Sequence, residues 1–293
     1  MSAAATGFAA LPGWDAAAFQ AAARALKAYP PFDTGIALAD FEAAFRPEPV
    51  GGPTHVTAYY EPVIRARLSP GDGFDVPVLG LPSGEGPWPE RGAIAAGALA
   101  DRAPVLAWLD DPVTLYFLQI QGSGRLALED GRLLRLGYAG GNGHPYRSIG
   151  RIMREEGILG PGGDGLGMRA WLRADRARGL AMMARNPSWV FFAVRGDLDP
   201  AEGPVGAMGV PLPARHAVAV DTAHHAYGDL FWLSHPMPDG VVWAGLVMAM
   251  DTGAAIRGEA RVDLFLGTGD AAGETAAQVN TEGRLIRLRP VDG

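Results

Sequence analysis

Glycine and proline divide this chain into short segments. The 41 glycines and 24 prolines together occupy 65 of 293 positions, about 22% where an average domain has about 12%. Both residues favour turns, so the composition predicts short strands joined by turns rather than a helical bundle. Hydrophobic residues make up 48% of the chain, enough to bury a sizeable core. The length predicts two domains or one large one.

Charge and cysteine content exclude several classes of function. Acidic residues outnumber basic ones by 32 to 25, so the chain lacks the basic field that attracts phosphates, and nucleic acid is not an expected partner. With no cysteine, disulfides, cysteine-ligated zinc, thiol catalysis and a lipidated N-terminal cysteine are excluded. The six histidines lack metal-ligand spacing, so we expect no metal and no cofactor.

The N-terminal residues have neither a positively charged region nor the apolar segment of an export signal. No apolar run approaches the roughly 18 residues of a membrane span. We therefore expect either a cytosolic protein or a chain whose export signal precedes residue 1.

Hydrophobic patterning predicts strands with a few short helices. A helix capped by Asp15 is predicted over 15–28. A β-branched and aromatic stretch over 54–68 predicts a strand that breaks at Pro62. Other predicted helices cover 39–45, 93–99, 104–108, 152–156, 168–186 and 271–279. Other predicted strands are one ending at Leu128 and those over 186–194, 215–220, 230–233, 241–250, 261–265 and 285–288. These short strands predict a small barrel in the C-terminal part.

Three aspartates accompany apolar strands. Asp221 ends AVAVD, Asp251 ends VVWAGLVMAMD, and Asp263 lies within ARVDLFLG. Because Val262, Leu264 and Phe265 flank Asp263, we expect desolvation to raise its pKa toward that of a proton donor. Strand-end aspartates also cap turns, and this structural role remains an alternative for all three.

Serine nucleophiles are not favoured. The segments GSG at 122–124 and RSIG at 147–150 do not match the GxSxG elbow of serine hydrolases. The surrounding loops supply tyrosine rings and neutral hydrogen-bonding side chains, a mixture that commonly holds sugars. Each of these residues alone fits a structural role better than a binding role.

Eight segments carry a resemblance when they are taken in order. They are TAYYEPVIRAR, GALADR followed by LAWLDDPV, FLQIQGSGRL, GYAGGNGHPYRSIGR, NPSWVFF, AVAVD, MDTGAAIRG and DLFLGTGDAAGE. Together they resemble the membrane-bound lytic murein transglycosylase A family, from about Leu11 to Pro290. The sequence departs from the family pattern at Met250, Ala254 and Arg257, which leaves details of substrate binding open.

The resemblance implies a mainly β fold with a few short helices. A double-psi β-barrel domain that carries the three aspartates would comprise 1–61 and 197–293. A second β-rich, substrate-binding domain would be inserted over 62–196. The groove between the two domains would bind a glycan strand.

The implied reaction is non-hydrolytic cleavage of the β-1,4 bond between N-acetylmuramic acid (MurNAc) and N-acetylglucosamine (GlcNAc) in peptidoglycan. Its product carries a 1,6-anhydro-muramoyl end. The match to DLFLG implies that Asp263 is the general acid and then the base, with Asp251 as a supporting catalytic residue. The expected substrate contacts are Tyr60, Gln121, Ser123, Tyr146, Ser148, Asp221, Gly253 and Gly269.

Location and partners follow from the same resemblance. Family members act in the periplasm, so we expect a mature-length, periplasmic monomer that is anchored at the outer membrane or soluble. Its expected partners are glycan strands, and association with cell-wall synthesis complexes is compatible with this location. Two alternatives remain: a muramidase that hydrolyses with Asp251 and Asp263 as a carboxylate pair, and a glycan-binding barrel without catalysis. A cytosolic metabolic role is the least favoured.

Overall fold

The computed structural model of the protein describes residues 7–160, 165–196 and 199–291. The chain divides into two compact units. The first comprises Met1–Tyr60, Ala201–Gly267 and Ala271–Gly293, and the second comprises Glu61–Pro200 and Thr268–Asp270. The second unit is thus an insertion in the chain of the first. The domain functions assigned to 1–61 with 197–293 and to 62–196 stay predictions.

Strands outnumber helices in the described residues, which confirms the predicted mainly β fold class. The strands are β1 (Phe45–Pro49), β2 (Thr54–Glu61), β3 (Val63–Ala66), β4 (Val76–Leu79), β5 (Val105–Leu109), β6 (Gly124–Leu128), β7 (Leu133–Gly141), β8 (Val190–Arg195), β9 (Ala217–Val220), β10 (Leu230–Pro236), β11 (Val242–Asp251), β12 (Arg261–Thr268) and β13 (Asn280–Pro290).

The helices of the described residues are short. The α-helices are α1 (Ala16–Ala25), α2 (Leu38–Ala44), α3 (Arg91–Ala95), α4 (Pro112–Gln121), α5 (Ile149–Glu155), α6 (Gly165–Ala174), α7 (Arg176–Ala184) and α8 (Asp270–Ala276). Two 3-10 turns lie at Phe8–Ala10 and Phe32–Thr34. No helix among the described residues combines the length and the apolar character needed to cross a membrane.

Six strands of the first unit close into a barrel. Neighbouring strands follow the order β13, β10, β11, β9, β12 and β2, and β2 pairs again with β13 to complete the ring. Strand β1 adds to β13 from outside the ring. Strands β9 and β11 are parallel. Because every ring strand has two partners, the barrel has no open edge.

Alternate side chains of the ring strands supply two different cores. Val56, Val218, Val220, Val262 and Leu264 pack with one another inside the barrel. The opposite faces of the same strands pack with the N-terminal helices in a second core. Since successive residues of a strand point to opposite faces, each ring strand is apolar on the inside and packs partly on the outside.

The first helix shows how sequence directs this outer packing. The carboxylate of Asp15 accepts a hydrogen bond from the backbone N–H of Ala18 at 2.7 Å and so caps α1. Phe19 and Ala22 lie buried on the same face of α1, and Leu26 follows them into the core. The predicted helix and its cap are therefore confirmed.

The inserted unit has a separate core. It contains a four-stranded sheet in the order β3, β6, β7, β8 and a two-stranded ribbon of β4 and β5. Helix α4 begins where Asp111 accepts hydrogen bonds from the N–H groups of Val113 and Thr114. It ends at Gly122, whose φ of 77° suits glycine.

Two element predictions in the inserted unit are wrong. The stretch 104–108 was expected to be helical but forms strand β5, where burial alternates with period 2 and Ala107 pairs with Val78. The helix predicted over 168–186 is two helices, because the side chain of Asp175 caps α7 through the N–H of Arg178. Cross-strand pairing and an internal cap thus override helical periodicity at these positions.

A buried ionic cluster lies where the chain enters the inserted unit. Glu61 is 1% exposed in its side chain, and its Oε2 accepts from Arg125 Nε at 2.7 Å. Its Oε1 lies 3.5 Å from a terminal nitrogen of Arg135. The hydroxyl of Thr268 donates to Oε2 at 2.8 Å. The cluster joins residues of the inserted unit that are distant in the chain.

Candidate active site

The register of the barrel strands brings two aspartates to one position. Ala219 on β9 pairs with Asp251 on β11 and with Asp263 on β12. Paired residues of neighbouring strands share a face, so both carboxylates lie on the face of Ala219, opposite the barrel interior. The small side chain of Ala219 leaves space between them.

Within the described ranges, one side chain donates a hydrogen bond to Asp263. The hydroxyl of Thr57, on β2, donates to Oδ1 of Asp263. Arg261 in turn donates from a terminal nitrogen to Thr57 Oγ1 at 2.8 Å. The Asp263 side chain is half-buried. The result is a chain of donors that runs from Arg261 through Thr57 to one oxygen of Asp263.

Burial raises the pKa of Asp263, and the negative charge of Asp251 raises it further. The charges of Arg261 and His55 and the Thr57 hydrogen bond oppose this rise. The expected direction and its expected cause, desolvation, are both found, but two of the flanking residues are not the source of the burial. Val262 and Leu264 point into the barrel core, whereas the carboxylate lies on the other face of β12.

Asp251 has three donors. Its Oδ1 accepts from the backbone N–H groups of Ala207 and Thr252, each at 2.9 Å. Its Oδ2 accepts from the hydroxyl of Tyr59 at 2.8 Å. Burial raises the pKa of Asp251 while these hydrogen bonds oppose the rise. Burial and the nearby Asp251 raise the pKa of Tyr59, so its hydroxyl stays protonated as a donor.

Asp221 lies in a different environment. Its carboxylate accepts from the backbone N–H groups of Gly258 at 2.7 Å and Ala223 at 3.2 Å. These hydrogen bonds hold the pKa of Asp221 below its ordinary value. Its backbone carbonyl accepts from the N–H groups of His224 and His225. This arrangement is that of a turn-capping anion, and a substrate contact for Asp221 stays a prediction.

Tyr60 and Tyr59 occupy opposite faces of β2. Tyr60 packs beside the barrel-interior cluster, and its ring lies so close to Gly273 that a Cβ there would come within 2.6 Å of it. Tyr59 lies on the face that carries the two aspartates. The predicted saccharide contact of Tyr60 is untested, while Tyr59 contacts Asp251 directly.

The two predicted glycines differ in backbone conformation. Gly269 has φ of 91°, a region that favours glycine, and its N–H donates to the carbonyl of Glu61 at 2.9 Å. The carbonyl of Gly253 accepts from the N–H of Ile256 at 3.0 Å. Close approach of a ligand to either glycine stays a prediction.

The other predicted contacts lie in the inserted unit. Gln121 is the last residue of α4, and Ser123 is buried just before β6. The hydroxyl of Ser148 caps α5 by accepting from the N–H of Arg151 at 3.2 Å. Tyr146 hydrogen-bonds to Ser148, and burial raises its pKa. Their saccharide contacts stay predictions.

Sequence reasoning missed Arg91, a buried cation beside these residues. Its guanidinium donates to the carbonyls of Asn186 and Ser188 and to Oε1 of Gln119. It also lies 4.6 Å from the ring centroid of Tyr116. Burial lowers the pKa of Arg91 to about 10. A single arginine in a proline-rich loop carries no pattern that predicts this environment.

Thr57 and Arg261 were also missed, and Tyr59 was expected only as one of several rings suited to sugars, although a signal for all three exists. Thr57 and Tyr59 are two residues apart in the strand THVTAYYE, and Arg261 precedes Asp263 by two. Period-2 alternation places each pair on one face.

No cluster of three or more histidine, aspartate or glutamate side chains that could hold a metal ion exists in the described part of the chain.

Two family models match separate parts of the chain. One, described as the MltA specific insert domain, matches residues 55–193. The other, described as the 3D domain, matches residues 216–289. The second match includes all three aspartates and the first includes the inserted strands and helices.

Named relatives and solved structures cover most of the chain. Membrane-bound lytic murein transglycosylase A of Escherichia coli K12 is 34% identical over 254 residues, which are 83% of this chain and 67% of that protein. The crystal structure of a membrane-bound lytic murein transglycosylase from Agrobacterium tumefaciens is similar with a TM-score of 0.85 and 29% identity, covering 98% of this chain and 97% of that one. The E. coli MltA structure with bound chitohexaose has a TM-score of 0.82 and 26% identity over 96% of this chain and 93% of that one.

Proposed function

Because this chain belongs to the membrane-bound lytic murein transglycosylase A family, we propose that it cleaves the β-1,4 bond between MurNAc and GlcNAc in peptidoglycan. The product would be a glycan with a 1,6-anhydro-muramoyl end. The chain is an enzyme of this family, and the proposal concerns its bond, its product and its catalytic residue. The observation that carries it is the unequal environment of Asp263 and Asp251.

Asp263 has the properties of a general acid. It is half-buried, its pKa is raised by burial, and one hydroxyl donates to it. An acid that donates near neutral pH needs such a raised pKa, because it must be protonated before it acts. In the first step the proton of Asp263 moves to the glycosidic oxygen, and the bond from that oxygen to C1 of MurNAc breaks.

The second step returns the proton. The C6 hydroxyl oxygen of the same MurNAc attacks C1, which carries the positive charge left by the departing sugar. Asp263, now an anion, accepts the proton of that hydroxyl. No water is consumed, and one carboxylate serves both steps. An intramolecular nucleophile has a high effective concentration, so a second base is not required.

Asp251 is suited to electrostatic support rather than proton transfer. Its two oxygens accept three hydrogen bonds from Tyr59, Ala207 and Thr252. These bonds stabilise the anion and oppose the rise that burial causes in the pKa of Asp251. An anion at this position raises the pKa of Asp263 and would stabilise positive charge at C1.

The remaining sequence predictions complete the proposal. The proposed substrate is a glycan strand, held by Tyr60, Gln121, Ser123, Tyr146, Ser148, Asp221, Gly253 and Gly269. A related solved structure contains chitohexaose, a sugar oligomer, which supports a glycan as ligand. Relatives are named membrane-bound, which supports a proposed location in the periplasm at the outer membrane.

The test is the mass of the products. Purified sacculi are digested with the protein, and soluble muropeptides are analysed by mass spectrometry. The proposal predicts products lighter by one water than those of a muramidase digest. Products with reducing MurNAc ends would support the two-carboxylate hydrolase instead. Binding to sacculi without soluble products would contradict both reactions.

A further inference from the structure

The hydrogen bonds around Asp263 distinguish its two carboxylate oxygens. Oδ1 accepts from Thr57. Among the described residues, no group donates to Oδ2. Oδ2 is therefore the oxygen to which no described residue donates. The Asp263 side chain is half-buried rather than sealed.

We propose that Thr57 and Arg261 are positioning residues that make Oδ2 of Asp263 the oxygen that gives and takes back the proton. This inference rests on the proposed function, since it specifies how the acid of that reaction is oriented. It adds two residues to the mechanism and assigns the proton to one atom.

The direction of the donor chain follows from the chemistry of its members. An arginine side chain can only donate hydrogen bonds, whereas a threonine hydroxyl has one hydrogen and two lone pairs. Since Thr57 Oγ1 accepts from Arg261 at 2.8 Å, its single hydrogen is free to point at Oδ1 of Asp263. In a carboxylic acid the carbonyl oxygen accepts hydrogen bonds better than the hydroxyl oxygen does, so the Thr57 bond to Oδ1 favours the acidic proton on Oδ2.

Arg261 is fixed by other contacts and does not touch Asp263. One terminal nitrogen donates to the carbonyl of Val262 and lies 3.5 Å from the carbonyl of His55. Within the described residues, no ion pair joins Arg261 to Asp263. A direct ion pair would strongly favour the anion, which is unsuitable for an acid. Thr57 therefore lies between the guanidinium and the carboxylate and connects them through two hydrogen bonds.

The charged and titratable groups around Asp263 come from three strands. Arg261 lies on β12 itself, Asp251 on β11, and His55 and Tyr59 on β2. Arg261, His55 and the Thr57 hydroxyl favour the anion, while burial and Asp251 favour the protonated acid. Removing Thr57 or Arg261 therefore raises the pKa of Asp263. Because the acid must be protonated to act, the alkaline limb of the pH profile then moves to higher pH.

The same strand provides a matched control. Thr54 lies three residues before Thr57 on β2, is fully buried, and its hydroxyl has no hydrogen-bond partner among the described residues. Thr54→Val and Thr57→Val make the same chemical change in one strand. Only the second removes a donor to Asp263.

The experiment compares five proteins: wild type, Thr57→Val, Thr57→Ser, Arg261→Gln and Thr54→Val. Release of soluble muropeptides from sacculi is measured across pH, with thermal unfolding of each protein. We expect Thr57→Val to lower the rate at the wild-type optimum by about 10-fold to 100-fold, as displaced catalytic groups do, and to move the alkaline limb upward. Thr57→Ser should have the wild-type rate and the wild-type alkaline limb. Arg261→Gln should move the alkaline limb to higher pH with a smaller loss of rate. Thr54→Val should match wild type in both measurements.

A second readout does not depend on turnover. The carboxyl band of Asp263 is isolated as the infrared difference between wild type and Asp263→Asn, and its titration is followed in Thr57→Val and Arg261→Gln. We expect both variants to titrate at higher pH than wild type. If Thr57→Val does not fold, Arg261→Gln still tests the donor chain, with Thr57→Ser as the variant that keeps the hydroxyl donor.

The outcomes separate this inference from the proposed function. A wild-type pH profile and titration in Thr57→Val and Arg261→Gln would overturn the positioning role, even if their rates fell through altered packing. Anhydro products from wild type in that case would leave the proposed function intact. Absence of soluble products from wild type would contradict the proposed function itself, and the infrared titration would still test the donor chain.

Discussion

Glu61 in the inserted unit and Asp263 in the barrel are both acids that are withdrawn from water, but their partners differ. Glu61 is paired with Arg125 and Arg135 and also accepts from Thr268. Of the residues that the structure describes, only Thr57 donates to Asp263, and Arg261 acts through that hydroxyl. The first carboxylate is paired directly with two cations, whereas the second has an oxygen to which no described residue donates.

This difference separates a structural acid from a reactive one. A buried charge is tolerated when partners compensate it fully, and removal of one partner then leaves an uncompensated charge. A proton donor needs incomplete compensation, because full pairing would keep it ionised. We therefore expect substitutions of Glu61 to affect stability and substitutions of Asp263 to affect turnover.

The largest expected effect on stability is that of Glu61→Gln. The change removes the buried charge that pairs with both Arg125 and Arg135, at a cost of about 3–5 kcal/mol in the free energy of unfolding. Glu48→Gln is the control, because Glu48 pairs with Arg46 and Arg289 where all three side chains are at least 36% exposed. The control should cost less than about 1 kcal/mol. Similar denaturant midpoints for the two variants would contradict the structural role of the cluster.

Asp263→Asn should have the opposite effect at neutral pH, because we expect it to raise the free energy of unfolding. Burial raises the pKa of Asp263 in the folded protein, so the folded state binds its proton more tightly than the unfolded state does. Wild-type stability therefore falls as pH rises from the unfolded pKa through the folded pKa. Asp263→Asn removes this loss and should be the more stable protein at neutral pH.

The measurement is thermal unfolding across pH. The difference in unfolding midpoint between Asp263→Asn and wild type should become smaller as pH falls below the pKa of aspartate in the unfolded chain. Asp40→Asn makes the same change of charge at an exposed residue of α2 and should show no such pattern. A gap that widens toward acid pH would mean that the carboxylate is held as an anion.

Ser148→Ala should have the smallest effect and separates two roles of one residue. Loss of the α5 cap should cost about 1 kcal/mol, and Asp15→Ala should cost a similar amount at α1, where a carboxylate caps in the same way. If Ser148 also contacts saccharide, its variant alone should need more substrate for half-maximal rate. If both variants need the same amount of substrate for half-maximal rate, Ser148 acts only as a helix cap.

The sequence predicted the barrel well because its strands carry local signals. Runs of apolar and β-branched residues identified most ring strands, and Pro62 marked the break between β2 and β3. Asp15 identified the start of α1 because capping involves only neighbouring residues. The helix assigned to 104–108 was wrong because β5 is specified by its pairing with β4, which a local pattern does not contain.

The site was less predictable because its contacts join distant residues. Thr57 and Asp263 are 206 residues apart in the chain, and Tyr59 and Asp251 are 192 apart. Alternation indicates that Tyr59 and Tyr60 face opposite sides, but only the register of the strands tells which side carries the aspartates. Glu61 and its arginine partners are 64 and 74 residues apart, and no local pattern links them.

The most direct test of the central claim is the turnover of Asp263→Asn on sacculi, with its folding and sacculus binding measured in the same preparation. Loss of a positioned general acid typically lowers the rate by about 10²-fold to 10⁴-fold. We predict a loss of that size with wild-type binding and an unfolding midpoint no lower than that of wild type. Near-normal release of anhydro-muropeptides by this variant would remove Asp263 from the reaction.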